Sequence, residues 1–66
     1  METKRLAECL TPDTLAALIK TLDAEAECLL RDGFITCYNV VRLARQDLYE
    51  GLEASVGKSM AQEMTT

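Results

Sequence analysis

Leu29-Leu30-Arg31-Asp32-Gly33-Phe34-Ile35-Thr36 separates two long amphipathic patterns and decides what the chain can become. Asp32-Gly33 stops a helix, because glycine enters the left-handed conformation that closes a last turn without the steric penalty other residues meet. Thr36 offers a hydroxyl as N-cap for the segment that follows. Upstream, Leu15, Leu18, Ile19, Leu22, Ala26, Leu29 and Leu30 recur at the three- and four-residue spacing of one helical face. Thr11-Pro12-Asp13 starts that helix: a capping hydroxyl, a proline suited to the first helical position, and a carboxylate that complements the dipole. Downstream, Cys37, Val41, Ala44, Leu48, Leu52 and Val56 form a second stripe, flanked by Tyr38 and Tyr49.

The connection between the two stripes is short, so the helices are expected to fold back on one another. The predicted fold is all-α: an antiparallel helical hairpin whose core is Leu15, Leu18, Leu22, Leu29, Val41, Leu48 and Leu52. A short N-terminal helix over residues 2–10 presents Leu6 and Leu10. The pattern weakens at Gly57, so a frayed tail is expected from about residue 57. No stretch reads as a strand or a repeat, and residues 1–66 form one domain.

Size makes such a domain marginal. A chain of 66 residues hides only about 60% of its unfolded surface on folding. Completion of the core by a partner or by self-association is therefore expected. Hydrophobic residues make up 48% of the chain and the net charge is -4, which suits a folded helical protein and not a disordered one. Lys and Arg are not clustered, so neither a nucleic-acid backbone nor an anionic membrane surface finds its complement here. No apolar run reaches the ~18 residues of a membrane span, and Met1-Glu2-Thr3-Lys4-Arg5 leads into no secretory apolar region. Cys9, Cys28 and Cys37 lack paired spacing, which predicts reduced thiols in a cytoplasmic protein.

Catalytic chemistry has little to stand on. The chain has no histidine, the commonest general base and metal ligand. Its serines and cysteines have no base partner, and three separated cysteines make no zinc site. Val56-Gly57-Lys58-Ser59 resembles the end of a phosphate-binding loop, but Leu52 stands where the first glycine belongs. Cys37, near a helix start, is the best candidate for an activated thiolate; a small apolar packing role is the simpler reading. No enzyme activity, metal or cofactor is predicted.

A surplus of apolar surface points to protein binding. Val40 and Leu43 lie off the main stripe of the second segment, and Leu6 and Leu10 have no obvious berth in a hairpin. These four are the predicted partner-binding residues. Asp23 and Glu27 sit about as far before the turn as Arg42 and Arg45 sit after it, so acid–base pairs across the hairpin are expected, Glu27 with Arg42 among them.

One spacing adds a family resemblance. Leu18-x3-Leu22-x8-Arg31-x-Gly33-x4-Tyr38-x9-Leu48-x3-Leu52 resembles the small YscE/PscE co-chaperones of the type III secretion needle subunit, without gaps over residues 18–52. The Arg-x-Gly turn followed by a tyrosine is its most telling part. The chain departs from the family in its apolar Phe34-Ile35, its three cysteines and its polar tail. The resemblance implies a cytoplasmic helical hairpin, part of a virulence apparatus, that joins a helical-repeat chaperone to keep the needle subunit soluble before export. Two alternatives stay open: a homodimeric hairpin adaptor and a small phage-encoded inhibitor of a host protein.

Overall fold

The computed structural model describes residues 9–66, and over these the chain is all-helical. Helix α1 spans Pro12–Arg31, α2 spans Ile35–Val56, and α3 spans Lys58–Met64. The expected short N-terminal helix, with Leu6, lies largely outside the described residues.

Helix α1 begins as its sequence dictates. Thr11 is extended (ψ 155°) and its hydroxyl accepts from the Thr14 N–H at 3.3 Å, with Pro12 in the first turn and Asp13 beside the dipole's positive end. It ends in a Schellman motif. The Phe34 N–H donates to the Leu29 carbonyl at 2.9 Å and the Gly33 N–H donates to the Leu30 carbonyl at 3.2 Å. Gly33 takes φ +85° to make this possible.

Helix α2 follows at once, and here the structure corrects the expected cap. Phe34, not Thr36, occupies the N-cap position, and it has no side-chain acceptor to offer. The Schellman motif fixes Phe34 as its last residue, so α2 starts one residue later and Thr36 falls inside its first turn. No acid stands in the first turn of α2 and no base in its last, so nothing there complements the dipole.

Beyond α2 the fold departs from expectation. Residues 58–64 do not fray but form α3, reached through Gly57 at φ 91° and ψ 162°. Ala61 is fully buried and Met64 packs against the core. A seven-residue helix has too little intrinsic stability to form alone; docking on the ends of α1 and α2 holds it.

The core is Leu15, Ala16, Ile19, Leu48, Leu52 and Ala61, lined by the half-buried Leu10, Leu22, Tyr49, Val56 and Met64. All of it gathers away from the Asp32–Phe34 turn. Three predicted core residues, Leu15, Leu48 and Leu52, are buried, while Leu22, Leu29 and Val41 are half-buried. Leu18 is a correction: it remains 37% exposed. Successive helical residues point about 100° apart, so seating Ile19 and Ala16 inward turns Leu18 to the rim. Leu10 is half-buried and packs against the core from outside.

Candidate protein-binding surface

Near the turn the two helices meet through small and half-exposed side chains, and large apolar groups are left in solvent. Leu30, Phe34 and Ile35 are 50%, 58% and 52% exposed. Two turns along α2, Val40 and Leu43 reach 61% and 69%. Of the four predicted partner-binding residues, these two are the ones the described structure leaves open. Leu10 is half-buried against the core, and Leu6 lies outside the described residues. The exposed tip of Leu30, Phe34 and Ile35 is not anticipated by the helical stripes, although two consecutive large apolar residues after Gly33 were a signal for it.

Beside Leu43 runs a groove of about 630 Å³ between α1 and α2. Leu22, Asp23 and Ala26 line its α1 side; Asn39, Arg42, Leu43, Arg45 and Gln46 line its α2 side. A smaller hollow of about 310 Å³, edged by Glu27, Leu30 and Tyr38, lies next to it, and Asp23, Ala26 and Arg42 line both.

Charges in this groove meet the expected pattern in one pair and depart from it in the other. Asp23 pairs with Arg45, whose Nε donates to Oδ1 at 2.9 Å and whose Nη2 donates to Oδ2 at 3.4 Å. This is a forked contact at a part-exposed site, with side chains 28% and 49% exposed for Arg45 and Asp23. Glu27 and Arg42, by contrast, form no ion pair among the described residues. Arg42 instead lies over the Tyr38 ring at 5.6 Å, and Arg45 also stacks on Tyr49 at 4.8 Å. Such contacts hold a guanidinium in place while leaving its N–H donors available.

Elsewhere the described surface has little reactive character. Cys9, Cys28 and Cys37 are free and exposed, so Cys37 does not join the packed stripe. Among the described residues no three Cys, Asp or Glu side chains converge to hold a metal ion. No helix there is long and apolar enough to cross a membrane. Gly57-Lys58-Ser59 follows a helix, not the strand a phosphate-binding loop requires. Comparison with protein families, with curated proteins and with solved structures finds no match to this chain.

Proposed function

We propose that this chain is a non-catalytic co-chaperone: an antiparallel helical hairpin that docks on a larger helical-repeat chaperone through the outer face of α2. In this reading the pair keeps a type III secretion needle subunit soluble in the cytoplasm before export. The observation that carries it is the exposure of Val40 and Leu43 one turn apart on a helix whose other face is already packed. Exposed apolar groups that share one face are the mark of a docking surface. The forked Asp23–Arg45 contact supports the antiparallel course, since it joins residues 22 apart across the turn. The motif behind the family resemblance fits the same picture. Gly33 closes α1, Tyr38 sits under Arg42, and Leu48 and Leu52 are buried.

The test is a V40E/L43E variant co-expressed with the products of neighbouring genes. Because both side chains are exposed, the variant should melt like the parent by circular dichroism. It should also fail to co-purify the companion that the parent retains. A variant that still co-purifies this companion would discard the surface.

A homodimer is the second reading, favoured by the charge layout of α2. Arg42 and Arg45 fall in its first half; Asp47, Glu50 and Glu53 fall in its second. Two copies of α2 running in opposite directions would bring unlike charges together. Sedimentation velocity separates the readings: a tight dimer of the isolated chain favours the bundle, and a monomer that assembles only with the companion favours the co-chaperone.

A further inference from the structure

The groove beside Leu43 carries more than apolar surface, and its α2 wall has a definite sign. From Ile35 to Gln46 this helix holds two arginines and no carboxylate. Arg45 is engaged by Asp23. Arg42 has no acid on it among the described residues, and its guanidinium is held over Tyr38. Asn39 stands one turn before it and Gln46 one turn after, both uncharged and both lining the same groove. Asp23, which also lines both hollows, is taken up by Arg45, so in a chain of net charge -4 the α2 wall keeps one uncompensated cation, Arg42, beside an apolar floor of Leu22, Ala26 and Leu43.

We infer that this groove receives an amphipathic helix of the partner whose flank toward α2 carries carboxylates. The inference rests on the docking surface proposed above and specifies the chemistry of what docks there. Two observations select this occupant. The groove and its neighbouring hollow run from Gln46 to Tyr38 along α2, a rise of about 12 Å at 1.5 Å per residue step. That length matches two turns of a helix seating apolar side chains at i, i+3, i+4 and i+7. Arg42 borders both hollows, so a carboxylate one turn along such a helix meets its free N–H donors. Glu27, at the edge of the smaller hollow, opposes an acid there. The carboxylates therefore belong on the α2 flank and not on the α1 flank.

The test uses two synthetic helical peptides titrated into the full chain. One has a leucine stripe flanked by glutamates on one side; its twin has lysines in their place. Fluorescence anisotropy gives the affinities, and amide shifts of isotope-labelled protein locate the site. The glutamate peptide should bind with shifts at Asn39, Arg42, Leu43 and Gln46, and the lysine twin should bind at least about tenfold more weakly at low salt. R42E should weaken the glutamate peptide about tenfold and reverse the preference between the twins, whereas E27K should tighten it. The preference should shrink in 0.5 M salt as screening shortens the reach of these charges. Equal binding of both twins, binding indifferent to R42E, or shifts elsewhere on the surface would overturn the inference. If neither peptide binds while V40E/L43E still abolishes co-purification, the acidic specificity falls and the docking face remains.

Discussion

Leu18 and Ile19 are neighbours in the chain and opposites in environment, one 37% exposed and the other fully buried. Ile19→Ala or Leu52→Ala should therefore cost about 2–5 kcal/mol by urea unfolding, because each opens a cavity in a packed site. Leu18→Ala should cost under about 1 kcal/mol. The same logic separates the acid–base pairs. A double-mutant cycle on Asp23 and Arg45 should show coupling of at most about 1 kcal/mol, as expected for a part-exposed pair, and the cycle on Glu27 and Arg42 should show none. Periodicity made Leu15, Leu48 and Leu52 legible, since each lies at the centre of its stripe. It did not distinguish Leu18 from Ile19, because both lie on the apolar arc. Which edge is buried depends on α3 and on how Ala16 lets α2 approach. Counting outward from the turn found the outer acid–base pair, Asp23 with Arg45, but missed that the rotation of α2 lays Arg42 over Tyr38 and away from Glu27.

The elements are held by a few backbone devices, and two glycines test them. Gly33 has φ +85°, and a Cβ added there would meet nothing within 4 Å. Gly33→Ala therefore involves no clash and costs only the left-handed strain, about 1–2 kcal/mol. Gly57, at φ 91° and ψ 162°, lies in a region essentially reserved for glycine, and Gly57→Ala should cost about 1–3 kcal/mol. Removing residues 58–66 should do more. It would uncover the core where Ala61 seats, and the shortened chain should bind a hydrophobic dye and lose its sharp thermal transition. A gain is also available. Thr36→Glu would place an acid in the bare first turn of α2 and should raise stability by about 0.3–1 kcal/mol. The start of α1 and the turn were legible because Thr11-Pro12-Asp13 and Asp32-Gly33 act through local chemistry. Helix α3 was not, because seven residues with no side-chain cap signal nothing until a core exists for Ala61 to enter.

At the scale of the molecule, burial is lopsided. Leu15, Ile19, Leu48, Leu52 and Ala61 concentrate the packing at one end, and the turn half contains no fully buried side chain. Amide hydrogen exchange should follow this gradient, slowest around Leu15–Ile19 and Leu48–Leu52 and fastest from Ala26 to Ala44. A bound companion should slow the fast half far more than the slow one.

The Schellman turn around Gly33 has a consequence for where the chain can be cut. A protease needs several residues of extended backbone, and the least-packed stretch of this molecule is also the one bearing Arg31 and Arg42 as trypsin-like cleavage points. Limited trypsin digestion of the isolated chain should therefore cut at Arg31, beside the turn, before any site in the packed half.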